Sequence, residues 1–347
     1  MDYNTMDCEN LIYMNTLQQT RVITLKSRPI GLPSVDDFGF KTEEVPPLRP
    51  GEVLLKAVYI SVDPYLRGKM SGTKVPRFEV GQAISSKLLA QVVDSKNDNF
   101  NPGDYVSHYL DWKEYQVSDG TGLVKVDDTV APLTTNLGVL GITGLSAYFA
   151  LLDIGQPQAG QTLVVSGAAG AVGSIAGQIG KLMGCRVVGI VGTDQKATLI
   201  KDTFGFDQAI NYRTTADMPA AIAAACSKGV DIYFDNVGGP ISDAVLARLN
   251  PYGRVAVCGT IATYNDTEPA LSPSLLPLVV YKFLTIRGFL IADFAARFPE
   301  GLAQLAGWLR EGKLTYAETI VKGFERLPEA FIGLFSGQNE GKMIVEL

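Results

Sequence analysis

The stretch Thr162-Leu-Val-Val-Ser-Gly-Ala-Ala-Gly-Ala-Val-Gly173 decides the fold. Thr162 to Ser166 is a short, apolar, β-branched run that suits a buried strand, and the glycine-rich residues after it read as a tight turn opening a helix. From Val172 onward Val172, Ile175, Ala176, Ile179, Leu182 and Met183 fall at helical spacing, and Gly184 is placed to close the helix. A second β-branched strand runs from Arg186 to Val191. Strand, glycine-rich turn, helix and strand make the βαβ unit that binds a dinucleotide, with the pyrophosphate on backbone N–H groups at the helix start. One departure stands out: read as G-x-G-x-x-G, the loop carries Ala168 where the first glycine belongs. Alone, such a loop is also compatible with a plain strand-to-helix turn; its place between two strands makes it a cofactor site.

A chain of 347 residues with 46% hydrophobic content can bury a sizeable core and suggests two domains. The net charge of −6, without a large basic block, argues against nucleic acid or an anionic membrane as partner. No apolar run approaches the roughly 18 residues needed to span a bilayer, and the N-terminus lacks the basic and apolar order of a signal peptide, so a cytoplasmic location is expected. Cys8, Cys185, Cys226 and Cys258 are scattered with no C-x-x-C pair, which fits reduced thiols and speaks against a zinc site. The single histidine, His108, lies in a strand-like segment, where packing or surface exposure is favoured over proton transfer.

Residues 1–20 show no sustained period and read as an N-terminal arm. From Arg21 the pattern is all-β, with strands expected at Arg21–Leu25, Phe40–Val45, Val53–Val62, Ala90–Asp94, Tyr105–Leu110 and Glu114–Val117, punctuated by Pro- and Gly-rich turns. Within this barrel-like region Ser61-Val-Asp-Pro-Tyr-Leu-Arg-Gly68 admits two readings: a turn fixed by Asp63-Pro64 with Tyr65 packed beneath it, or a substrate cleft presenting the Tyr65 phenol. Ala131 to Ala150 turns helical and marks the crossing into a second domain. There strands and helices alternate through Arg254–Cys258 and Thr285–Leu290, followed by a helix at Ala295–Arg310, which indicates a parallel sheet covered on both faces. The tail from Glu318 returns to the first domain. The expected division is thus 1–20, an arm; 21–142 with 318–347, a catalytic domain; and 143–317, a nucleotide domain.

Cofactor choice is set at the end of the second strand, where an NAD enzyme places a carboxylate for the ribose 2′-hydroxyl. Gly192 occupies that tip and repels nothing, while Lys196 one short turn later offers an ammonium to a 2′-phosphate. Asp194 argues the other way, but beside Thr193 at a helix start it suits a capping or dipole role. NADP is therefore favoured over NAD, with Lys196 and Tyr212 as phosphate neighbours.

Several segments together resemble a known family: Val62-Asp-Pro-Tyr-Leu-Arg-Gly68, Ala168-Ala-Gly-Ala-Val-Gly173, Asn211-Tyr212, Tyr233-Phe-Asp-Asn-Val-Gly-Gly239, Gly253-Arg-Val-Ala-Val-Cys-Gly-Thr-Ile-Ala-Thr-Tyr-Asn265 and Gly337-Gln-Asn-Glu-Gly-Lys342. They are similar to the zinc-independent medium-chain dehydrogenase/reductases, in the leukotriene B4 dehydrogenase, prostaglandin reductase, curcumin reductase and alkenal double-bond reductase group. The resemblance implies an α/β chain, a GroES-like β-barrel catalytic domain with an inserted Rossmann-type doubly wound parallel-sheet nucleotide-binding domain. It implies NADP(H) as cofactor and reduction of the C=C bond of an α,β-unsaturated ketone or aldehyde, without a metal. By similarity Gly170, Ala171, Val172 and Gly173 hold the pyrophosphate and Lys196 and Tyr212 flank the adenosine phosphate. Asn236, Cys258, Gly259, Thr260, Tyr264, Phe289, Leu290, Ile291 and Asn339 would line the rest, with Thr143 near the nicotinamide. The family pattern makes the Tyr264 phenol the donor to the nascent enolate, with Tyr65 as second donor or orienting wall; a nicotinamide-packing role for Tyr264 stays open. Where some plant relatives offer a further tyrosine after the barrel's Gly-x-x-Ile, this chain reads Gly81-Gln-Ala-Ile-Ser-Ser-Lys87. Relatives pair the strand corresponding to Thr285–Leu290 across a two-fold axis, so a homodimer is expected. A zinc-free quinone reductase, or a cofactor-binding protein without turnover, are the competing readings.

Overall fold

The computed structural model describes residues 19–71, 77–129 and 131–347. The expected arm at 1–20 falls outside these residues except for its last two, which open the first strand. The chain divides into two units, one of Met1–Thr134, Val321–Ile332 and Ile344–Leu347, the other of Thr135–Ile320 and Gly333–Met343.

In the first unit β1 (Gln19–Leu25) pairs antiparallel with β2 (Phe38–Glu44). Next come β3 (Val53–Ser61), a short helix α1 (Leu66–Met70), β4 (Ser85–Ser95), β5 (Tyr105–Asp111), β6 (Tyr115–Ser118) and β7 (Val124–Val126). The two-residue period of a strand puts Val53, Leu55 and Ala57 of β3 inside and Lys56 outside. With Ala90, Val92, Phe100 and Val106 the first two of these build a core. β6 turns back to pair with β3, and bridges from Val22 to Lys113 and from Thr24 to Ala83 tie the β1–β2 ribbon to the larger sheet. The strands thereby curl around fully buried Trp112, whose indole donates to Ser86 Oγ at 2.8 Å.

The second unit opens with α2 (Ile142–Phe149) and continues through β8 (Thr162–Ser166), α3 (Gly173–Leu182), β9 (Arg186–Val191), α4 (Asp194–Asp202), β10 (Gln208–Asn211) and α5 (Met218–Ala225). It goes on through β11 (Val230–Asp235), α6 (Gly239–Ala247), β12 (Leu249–Val257), α7 (Leu276–Lys282), β13 (Thr285–Gly288) and α8 (Phe298–Arg310). The six strands lie parallel in the order β10-β9-β8-β11-β12-β13. Alternation sorts their side chains: Leu163, Val165, Val187 and Phe234 join a core with α2 and α3, while Val164, Val188, Tyr233 and Val255 join one on the opposite face. Succession runs outward from β8 to β10 and then restarts at β11, so the switch point, where ligands of such sheets gather, lies between β8 and β11.

The chain ends with β14 (Glu318–Lys322), α9 (Leu327–Ser336) and β15 (Lys342–Glu346), whose Ile344 to Glu346 pair antiparallel with β3. Some expectations need correction. The helix expected over 131–150 is broken into a 3-10 turn at Leu133–Leu137, α2, and a π-helical turn at Ala150–Gly155. The chain folds back so tightly there that a Cβ on Gly144 would lie 1.9 Å from Val139 O. β12 begins at Leu249 rather than Arg254, and β7 and α7 were not anticipated. The helix expected from Ala295 starts at Phe298, with Pro299 in its first turn and a 3-10 stretch before it.

Candidate functional site

The glycine-rich turn explains its own departure from pattern. The left-handed residue is Gly167, with φ of 59°, so the position after it can be Ala168, which is buried and donates its amide to Ile190 O at 3.1 Å. Gly173 is needed for closeness: a Cβ there would sit 2.3 Å from Gly167 O. Gly170 donates to Gly167 O at 2.9 Å, and the amides of Ala171, Val172 and Gly173 open α3, where backbone N–H groups are without helical partners. From behind, the amide of Gly341 donates to Ala169 O at 2.7 Å and fixes the loop.

The switch point itself is organised by Asp235, the last residue of β11, buried at 5% exposure. Its carboxylate accepts from Ser166 Oγ (2.9 Å), Tyr233 OH (2.8 Å), the amides of Val237 and Gly238 (3.0 Å each) and Ser242 Oγ. Asn236 is next in the chain, its amide donating to Ser166 Oγ and its side chain to Ser166 O at 2.7 Å. This network welds the tips of β8 and β11 into a floor. Sequence reading passed over Asp235; a carboxylate ending an apolar strand ahead of Gly238-Gly239 is the signal that could have found it.

At the tip of β9, Gly192 lies against Tyr212, whose ring atoms and hydroxyl would stand 3.1 Å from a Cβ there. Thr193 caps α4 by accepting from the Lys196 amide, and Asp194 in the first turn accepts from Asn211 Nδ2 at 2.7 Å. Lys196 Nζ donates to Gly337 O at 2.7 Å and Arg213 to Ser336 O at 2.9 Å, and the Arg213 guanidinium lies 5.9 Å from the Tyr212 ring centroid. Among the described residues neither cation is in an ion pair. Burial lowers the Lys196 pKa, with Glu340 opposing and Arg213 adding to the effect. Arg213 was also missed, though it directly follows Asn211-Tyr212.

β12 leads into Cys258, Gly259 and Thr260 and then a 3-10 turn, Ile261–Thr263, ending at Tyr264. Its phenol folds back over Gly259, where a Cβ would lie 3.2 Å from the hydroxyl. Burial raises the Tyr264 pKa and a hydrogen bond with the Thr260 backbone opposes the rise, so the group is protonated at neutral pH. Burial, with Asp235 close by, pushes the Cys258 thiol up to about 12. Phe289 packs edge-on to Phe294 with centroids 6.2 Å apart, Ile291 is half-buried and Leu290 is 74% exposed. Asn339 donates to Gly341 O at 2.8 Å, and Thr143, buried on α2, donates its hydroxyl to Gly138 O at 2.8 Å. In the other unit, Tyr65 begins α1 with its hydroxyl buried and without a hydrogen-bond partner of ordinary geometry among the described residues. Burial, then Asp63, holds its pKa far above the usual tyrosine range.

Two family models match the chain: "N-terminal domain of oxidoreductase" over residues 21–126 and "Zinc-binding dehydrogenase" over residues 171–307. Despite the second description, the described residues contain no group of three or more His, Cys, Asp or Glu able to hold a metal ion. The NADPH-dependent curcumin reductase of Escherichia coli is 41% identical, covering 95% of this chain and 97% of that protein. Prostaglandin reductase 1 of Mus musculus is 42% identical, covering 94% and 99% respectively. The crystal structure of CurA in complex with NADPH from Vibrio vulnificus superposes with a TM-score of 0.89 at 43% identity, covering 94% of this chain and 98% of that one.

Replacing Asp235 by Ala strands buried donors that each cost about 1–3 kcal/mol when left unsatisfied. Urea unfolding of Asp235→Ala is expected to show a loss of about 3 kcal/mol or more; a loss under about 1 kcal/mol would remove Asp235 from its organising role.

Proposed function

The chain belongs to the zinc-independent medium-chain dehydrogenase/reductases, in the group of the curcumin and prostaglandin reductases, and from that premise we propose that it reduces the C=C bond of α,β-unsaturated ketones or aldehydes with NADPH. The observation that carries the reading is the protonated Tyr264 phenol at the carboxyl end of the parallel sheet, close to the crevice that Asp235 and the glycine-rich turn shape. The residues present fit the cofactor. Gly173 keeps the turn close enough for helix-start amides to meet a pyrophosphate, and Lys196 and Arg213, in no ion pair among the described residues, stand near Tyr212 for a 2′-phosphate. At the β9 tip the Asp194 carboxylate accepts from Asn211 Nδ2, which favours a structural role for it over selection of a ribose hydroxyl.

When bound, NADPH supplies the hydride for the β-carbon of the enone. As negative charge gathers on the carbonyl oxygen, the Tyr264 hydroxyl donates to it; the backbone of Thr260, already hydrogen-bonded to that phenol, aims the proton outward. Asn236, fastened to Ser166 at both its amide and its side chain, keeps the neighbouring floor from shifting. The residues from 135 to 320 thus serve as the NADP-binding domain, and the barrel-like unit, with Tyr65, as the substrate domain.

A homodimer fits the same reading. Among the described residues β13 is an edge strand paired only with β12, and near it Leu276, Val280, Tyr281 and Phe283 are more than half exposed.

The combined Lys196→Ala and Arg213→Ala variant is expected to bind NADPH about 100-fold more weakly or worse, from charge-assisted bonds worth about 1.5–3 kcal/mol each. Its NADH affinity should stay put, and equal losses for both cofactors in a fluorescence titration would refute the assignment. Tyr264→Phe should lose about 10²–10³ in turnover of a linear enone with NADPH affinity retained; unchanged turnover would leave Tyr264 a packing residue. Light scattering at micromolar concentration should give twice the chain mass, and a monomer would dismiss the dimer.

A further inference from the structure

The segment Gly337-Gln-Asn-Glu-Gly-Lys342 runs past the two cations assigned to the coenzyme and brings a carboxylate with it. Lys196 Nζ rests on Gly337 O at 2.7 Å, and Arg213 on Ser336 O at 2.9 Å. Three residues beyond Gly337, Glu340 Oε1 accepts at 2.9 Å from the side chain of Gln195, the immediate neighbour of Lys196. The Glu340 backbone is fixed as well: its amide donates to Thr319 Oγ1 and its carbonyl accepts from the same hydroxyl, each at 2.9 Å. Held at side chain, amide and carbonyl, this carboxylate keeps one position.

Where that charge falls gives the anchoring its meaning. Lys196 is half-buried, and of the charged groups acting on it Glu340 favours the ammonium while Arg213 opposes it. Yet Glu340 and Lys196 form no ion pair among the described residues. A carboxylate in the field of such an ammonium would ordinarily close on it, and here the bonds to Gln195 and Thr319 hold it aside. Asp194, nearer to Lys196 in sequence, is turned to Asn211 Nδ2 instead. Two cations and one carboxylate therefore share this corner, and the carboxylate belongs to neither cation.

We infer that Glu340 is a specificity-determining residue, a fixed carboxylate that limits how tightly Lys196 and Arg213 hold a 2′-phosphate and leaves a plain ribose hydroxyl unaffected. The inference rests on the assignment of those two cations to the phosphate. A phosphate monoester carries a charge of about −1.5 to −2 at neutral pH, which the two cations alone would balance. With Glu340 in place one like charge remains to face it. The bond from Gln195 sets the strength of the effect: held by Gln195, the carboxylate opposes the phosphate from the side, whereas a released one would compete for Lys196 directly.

The test measures dissociation constants of NADP+ and NAD+ by calorimetry, at low ionic strength and again in about 1 M salt, where the screening length falls to about 3 Å. Glu340→Gln should bind NADP+ about fivefold more tightly at low salt, the effect of one like charge removed from a partly exposed site. Glu340→Lys should go further in the same direction, NAD+ should change with neither, and the gain should shrink at high salt. Gln195→Ala should weaken NADP+ about threefold and lose that effect when combined with Glu340→Gln. A gain in affinity cannot come from a damaged fold, so a merely structural Glu340 predicts the opposite sign. An NADP+ dissociation constant unchanged or raised in Glu340→Gln overturns the inference, and the coenzyme assignment stands if Lys196→Ala still weakens NADP+ selectively. If Lys196→Ala and Arg213→Ala leave NADP+ binding intact while Glu340→Gln tightens it, the assignment of the cations fails and the role of Glu340 remains.

Discussion

The carboxylate of Asp235 is the constraint from which the cofactor half of the molecule is built. A buried charge is tolerated only when its lone pairs are filled, and here donors from β8, β11, the turn beyond β11 and α6 converge on one side chain. Each donor surrenders freedom of its own element, so the neighbouring strand tips and the turn between them hold one arrangement. Sheet twist and helix packing could leave such a crevice in many shapes; the Asp235 network selects one, with Asn236 as its outermost member.

A second restraint acts on the adjacent wall. Ala169 O is held by the Gly341 amide, so the turn that opens α3 is gripped by backbone from far along the chain. Gly341 can do this only as glycine: its φ is 62° and a Cβ would run into Ala317 O at 1.7 Å. The turn that opens α3 is thus shaped by two glycines that never meet in sequence, Gly167 supplying the left-handed turn and Gly341 the close approach.

Much of the parallel sheet was legible because its strands are β-branched and its helices amphipathic. Thr162–Ser166 and Arg186–Val191 coincide with the observed strands. Expectation failed where tertiary closeness overrides local pattern. Around Gly138, Gly141 and Gly144 an apolar run reads as one helix, yet the glycines let backbone fold onto backbone and break it. At Asn250-Pro-Tyr-Gly253 a turn-like sequence is absorbed into β12, with Tyr252 held at φ of 64°. The candidate site was legible through its glycines and through Lys196, whose roles are local. Asp235 and Arg213 were not, since a network of donors or a cation reaching a distant carbonyl leaves no periodic trace.

Lys196 and Arg213 rest on the carbonyl oxygens of Gly337 and Ser336, at the end of α9. Those oxygens are the unspent acceptors of a helix terminus, where partial negative charge accumulates. The two side chains are therefore already extended and immobilised, having forfeited about 2 kcal/mol each of rotational freedom during folding instead of at the moment a ligand arrives. If these two cations take the 2′-phosphate, as proposed above, it would exchange one set of acceptors for another, and its advantage over a bare hydroxyl would lie in formal charge alone. Grip at this end of the ligand should accordingly weaken as ionic strength rises, while the amides at the start of α3, carrying only dipoles, should feel the salt far less.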